Sequence, residues 1–169
     1  MTNYMYTTSV PVFKQLLNSL SNLLTKAESL CIEKKIEPKA ILDARLFPDM
    51  FPLFRQVQIA TDFATSVSAR LAEVDVPTNE NNEQTFSELQ ERITRALSFL
   101  ESLSSKQFEG SESHEIVLRP GTPKEKKLIG HTYLANYGLP QFFFHVTTAY
   151  AILRHNGLDV GKGDFMGIY

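Results

Sequence analysis

The glycines of this chain are confined to its C-terminal part. All eight lie between Gly110 and Gly167, and none precedes Gly110. Glycine loses the most conformational freedom on entering a helix and marks the places where a chain turns. A long glycine-free stretch with sparse proline therefore points to long helices, with the turns gathered behind them. Apolar spacing locates the first one. Over residues 9–34 the positions Val10, Phe13, Leu16, Leu17, Leu20, Leu23, Leu24, Ala27, Leu30 and Cys31 repeat steps of 3, 3 and 1, one stripe at helical period. Ser9 is placed to cap it, Pro11 is tolerated in the first turn, and Lys34 and Lys35 suit the negative end of the dipole. Cys31 lies in the stripe and reads as a small core residue.

Residues 38–48 form a connection with a short helical turn over 40–44. A second helix is expected to begin near Asp49, its N-cap, and to run to Leu71, with Pro52 at the third helical position. A polar loop follows. Thr85-Phe86-Ser87-Glu88 then matches the capping box, and Phe86, Leu89, Ile93, Ala96, Leu97, Leu100 and Leu103 form the buried face of a third helix ending near Ser104. Residues 114–118 and 126–130 read as a hairpin around Pro120, Gly121 and Pro123, with an irregular loop as the competing reading. The last helical region covers residues 131–156, interrupted or kinked at Pro140 and stopped by Asn156-Gly157. Residues 157–169 read as a surface tail, whose Gly161-Lys162-Gly163 lacks P-loop spacing. The sum is an all-α fold: one antiparallel four-helix bundle spanning residues 1–169, with a small hairpin or loop before the last helix.

Charge and composition narrow the function classes. A net charge of -2 argues against a nucleic-acid partner, which would need a basic surplus to displace counterions. A single cysteine excludes an intramolecular disulfide framework. No run of about 18 apolar residues exists, so no membrane partner is expected. The first dozen or so residues have neither a basic n-region nor a long apolar stretch, and a cytoplasmic location is expected.

Bundles build sites from polar side chains that interrupt apolar faces. On the second helix, Leu53, Val57, Ala60, Ala64, Val67 and Leu71 define the apolar centre, and Gln56 falls beside it pointing inward. Arg55, Gln58, Asp62 and Thr65 fall on the far side, where Gln58 and Asp62 make a polar outer face. On the last helix, Phe142, Val146, Ala149 and Leu153 form the centre, flanked by His145 and, on the other side, Tyr150. His145 reads as a satisfied, partly buried histidine or, alternatively, as a site residue able to act as an acid, a base or a metal ligand. The histidines His114, His131, His145 and His155 include no pair four apart, and no His-Glu-x-x-His, cysteine pair or nucleophile elbow is present. No metal or other cofactor is expected from these spacings.

The reading is a small-molecule site between helices. His145, Gln56 and Tyr150 are the candidate catalytic residues, and Asp49, Gln58, Asp62, His131 and Phe142 are the candidate ligand contacts. The chemistry this set suits is acid–base: isomerisation, elimination or thiol transfer. The rival is a non-catalytic homodimeric module packed through Phe51, Phe54, Phe142, Phe143 and Phe144; a metal-dependent hydrolase ranks below both.

Two stretches are distinctive: Leu46-Phe47-Pro48-Asp49-Met50-Phe51-Pro52-Leu53 with Arg55-Gln56-Val57-Gln58-Ile59-Ala60, and Leu139-Pro140-Gln141-Phe142-Phe143-Phe144-His145-Val146 continuing to Gly157. With the tail Gly161-Lys162-Gly163-Asp164-Phe165 they resemble an uncharacterised family of bacterial and fungal proteins within the DinB/YfiT-like superfamily. The likeness covers residues 9–167. It implies a four-helix bundle, often a homodimer, with metal-dependent hydrolases and thiol-dependent transferases or isomerases among its relatives. Superfamily metal sites use an inward histidine on the second helix and a His-x-x-x-His pair on the last. Here the first position is Gln56, and His145 has Ala149 four residues on and Gln141 four residues back. The pattern fails at two of three places, and no metal site is carried over.

Overall fold

The stripe on the first long helix is buried along its length, from Val10 and Phe13 to Ala27 and Cys31. The computed structural model describes residues 3–169. Its elements are α1 (Tyr4–Thr7), α2 (Val10–Lys34), α3 (Pro38–Leu42), α4 (Leu53–Leu71), α5 (Phe86–Ser102), a 3-10 turn (Ser105–Phe108), β1 (Glu115–Leu118), β2 (Lys126–Ile129), α6 (Gly130–Thr132), a π-helical stretch (Tyr133–Gly138), α7 (Leu139–His155) and α8 (Lys162–Met166). Helices α2, α4, α5 and α7 are the rods of the bundle. Ser9 stands at the head of α2, but its hydroxyl donates back to the Met5 carbonyl at 2.6 Å, a partner supplied by the unexpected turn α1. Lys35 closes α2 in the left-handed conformation, at φ 55°.

Helix α4 starts at Leu53, four residues later than Asp49. Asp49 lies exposed in a turn closed by the Met50 N–H and the Phe47 carbonyl. The reason is local. A proline ring disfavours helical geometry at the residue before it, here Phe51. Pro52 itself is extended (φ -70°, ψ 168°) and serves as the N-cap, while the Leu53 N–H is satisfied by Ala44. Helix α5 opens with the anticipated capping box: Thr85 Oγ1 accepts from the Glu88 N–H, and the Glu88 carboxylate accepts from the Thr85 N–H.

The hairpin forms. Strands β1 and β2 pair antiparallel, with Glu115 opposite Ile129 and Leu118 opposite Lys126. The last rod is helical from Gly130 to His155, and its irregularity falls just before Pro140. Proline offers no N–H and crowds the carbonyl four residues back, that of Asn136. A wider π turn over Tyr133–Gly138 relieves that conflict. It also stacks Tyr133 on Tyr137, with centroids 5.7 Å apart. Gly138 ends the stretch against α4: a Cβ there would stand 2.8 Å from a Val67 methyl, so its absence lets the two rods meet. Antiparallel α4 and α7 then run from Gln56 beside His145 at one end towards Arg70 beneath the Tyr133 hydroxyl at the other.

The tail is more than surface coil. Helix α8 docks along α2 through Lys26–Asp164 (2.6 Å) and a Gln15 side-chain bond to the Met166 carbonyl (2.8 Å), while Phe165 meets Tyr150 edge-on. Among the described residues, no helix is long and apolar enough to cross a membrane.

Candidate functional site

Helix α4 carries two different polar sites on two buried faces. On the face towards α7, His145 Nδ1 and Gln56 Oε1 lie 2.7 Å apart, both groups buried. The second amide atom fixes the direction of this bond. Gln56 Nε2 stands 3.0 Å from the Phe51 carbonyl, which only accepts, so Nε2 donates there and Oε1 faces the imidazole. The ring therefore carries its proton on Nδ1. Its Nε2 has no protein partner among the described residues. Phe63 stacks on the imidazole at 6.0 Å and Phe144 meets it edge-on at 5.2 Å. Burial, with the charge of Arg55 adding to it, lowers the His145 pKa to about 4. At neutral pH this is an uncharged imidazole, held by a carboxamide, with Nε2 as its unprotonated nitrogen.

The face towards α5 was expected to be solvent-exposed at Gln58 and Thr65, and the structure corrects this: both are buried. Arg92 of α5 fills the space with 1% exposure. Its Nε donates to Thr61, Nη1 to both oxygens of Glu83, and Nη2 to the Gln58 carbonyl and to Asp62 at 2.6 Å. All five guanidinium protons are thus used. Gln58 Nε2 donates to Glu83 as well. Burial alone would raise the Glu83 pKa, but hydrogen bonds from its own backbone, Arg92 and Gln58, with the Arg92 charge, hold it below the ordinary value. Asp62 is half-exposed rather than fully solvated and also receives Asn79. This clamp ties the loop before α5 to α4.

The remaining candidates fall elsewhere. Phe142 is fully buried and packs edge-on against Phe13 of α2, so it belongs to the core. The Tyr150 hydroxyl points to the Val160 carbonyl at 3.5 Å and its ring to Phe165, so its partners are in the tail. His131 is exposed at the start of α6 with Thr132 as its neighbour. Asp49 is in the exposed turn described above. The structure brings Gln56 and His145 together, and separately Gln58 and Asp62.

A cavity of about 220 Å³ lies against α3 and the loop before α5, with Lys39, Asp43, Phe54 and Glu83 in its walls. A smaller one of about 130 Å³ borders Arg92 between Thr65, Pro77 and Phe99. Neither has Gln56 or His145 in its wall. What surrounds the dyad is aromatic: Phe51 and Phe144 are each about half exposed, at 53% and 54%.

The three-histidine metal site of the superfamily does not fit these residues. The α4 position is Gln56, with both amide ends engaged, and Gln141 and Ala149 stand one turn either side of His145. Among the described residues, no group of three or more His, Cys, Asp or Glu side chains is placed to hold a metal.

A bundle of this topology, with polar side chains facing one another across α4 and α7, is DinB-like. Residues 5–166 match the family described as a domain of unknown function, DUF1993, and the chain belongs to that family. The crystal structure of a DinB family member protein from Shewanella denitrificans is similar over 97% of this chain and 92% of that one, with 37% identity and a TM-score of 0.91. No curated protein matches.

Proposed function

We propose that this protein binds a small molecule at the α4–α7 face and that His145 acts there as a base. The supporting observation is the His145–Gln56 bond. It fixes the tautomer, so Nε2 is the unprotonated nitrogen, and burial keeps the ring neutral. Such a nitrogen is suited to removing a proton in an isomerisation, an elimination or the activation of a thiol. The test is a panel of metabolites and thiols read by melting shift, with wild type and His145→Asn compared. A ligand that raises the melting temperature of wild type is expected to lose that effect in the variant. An equal shift in both proteins removes His145 from the role.

A second reading, a homodimer, rests on the exposure of Phe51 and Phe144 beside the dyad and of Leu46, Phe47 and Phe143. Exposed apolar patches mark interaction surfaces. A second copy is the occupant this reading names. Light scattering at micromolar concentration is expected to give twice the 19.1 kDa chain mass, and Phe47→Glu with Phe143→Glu is expected to halve it. A wild-type monomer at that concentration ends this reading.

A further inference from the structure

The geometry points to Arg55 as the anchor for a carboxylate, and so to a small organic carboxylate with an apolar body as the ligand class; this rests on the reading of His145 as the base of the site. Arg55 lies in the first turn of α4, half-buried. Its guanidinium has one hydrogen bond, from Nη1 to Gln58 Oε1 at 3.0 Å, and no Asp or Glu oxygen within 4.0 Å among the described residues. The contrast with Arg92 is direct. That group has every N–H satisfied and two carboxylates beside it, whereas Arg55 keeps an unneutralised charge and unused donors.

Phe51 joins this cation to the dyad. Its ring lies under the guanidinium, with Cζ 5.8 Å from the centroid, and its carbonyl receives Gln56 Nε2. Stacking of this kind holds the cation at an aromatic surface without neutralising it. One unneutralised guanidinium matches one monoanion, and its planar fork matches a carboxylate. The exposed rings of Phe51 and Phe144 offer surface to an apolar body, and His145 Nε2 offers a proton acceptor.

The test uses two probes of the same shape on the full chain: phenylacetate and its neutral amide, phenylacetamide. Binding is followed by NMR of the His145 and Arg55 side chains. Phenylacetate is expected to give saturable shifts at both, and phenylacetamide to bind at least about tenfold more weakly, the loss of one charge-assisted contact. Arg55→Met is expected to weaken phenylacetate by a similar factor and Arg55→Lys to recover part of it. Phenylacetate binding that survives in His145→Gln keeps the anchor even if His145 is no base. Equal binding of the two probes, no saturable binding, or undiminished phenylacetate binding in Arg55→Met overturns the proposal.

Discussion

Replacing Arg92 with methionine is expected to destabilise the protein by about 3–5 kcal/mol, the cost typical of removing one partner from a buried charge pair. The size follows from what is left behind. Glu83 is 5% exposed, and without Arg92 its nearest cation is Arg95, at 3.5 Å on a largely exposed side chain. The Gln58 carbonyl and the Thr61 hydroxyl lose a donor at the same time. Chemical denaturation at neutral pH measures the loss. Adding Glu83→Gln to Arg92→Met removes the stranded charge and is expected to recover a large share of it, because the two residues act through one another. A loss below about 1 kcal/mol in the single variant, or no recovery in the double one, means that the clamp contributes little to stability.

The clamp is the part of this fold that local spacing along a helix does not specify. The four rods, the capping box at Thr85, the hairpin and the stop at Gly157, which takes φ +91°, follow from local rules and appear as expected. Gln56 and His145 were legible for a related reason: each is a single polar residue beside an apolar stripe, and helical geometry fixes which way it points. Apolar periodicity places Gln58 and Thr65 on the outside because it finds one buried face, and α4 has two. Its second face is lined by Gln58, Thr61, Thr65 and Ser68, which are polar yet buried. The signal was present in the sequence. Those four positions are spaced three and four apart and carry no charge, while Arg92 stands three residues after Leu89 and four before Ala96, on the α5 apolar stripe. What spacing along one helix does not supply is the partner. Glu83 comes from a loop, and its approach to Arg92 is decided by how that loop crosses α4 rather than by any period. Asp49 failed differently: a good capping residue was outweighed by Pro52, whose ring acts on the residue before it.

The His145 ring is expected to make stability depend on pH between about 4 and 6.5, in a direction that its environment dictates. In the unfolded chain an imidazole takes up a proton near its ordinary value of 6.5; in the folded protein burial, assisted by Arg55, delays this to about 4. Above 6.5 both states are neutral and the native state keeps its full margin. As pH falls through the window, the unfolded state binds a proton that the native state refuses, so stability declines; below about 4 both are protonated and this contribution is flat. A difference of this size corresponds to about 3 kcal/mol across the window. His145→Gln removes the titration and leaves other groups, Glu83 included, common to both proteins. The stability difference between wild type and variant is therefore expected to shift by that amount in favour of the variant from pH 7 to pH 4. NMR of the imidazole gives an independent midpoint. A midpoint near 6.5, with parallel stability profiles for the two proteins, would show a ring freely reached by water, and with it a site whose histidine is charged in mildly acidic solution. A midpoint near 4 keeps Nε2 free of a proton throughout the neutral range and available to accept one from a bound ligand, while the same low value weakens it as a base.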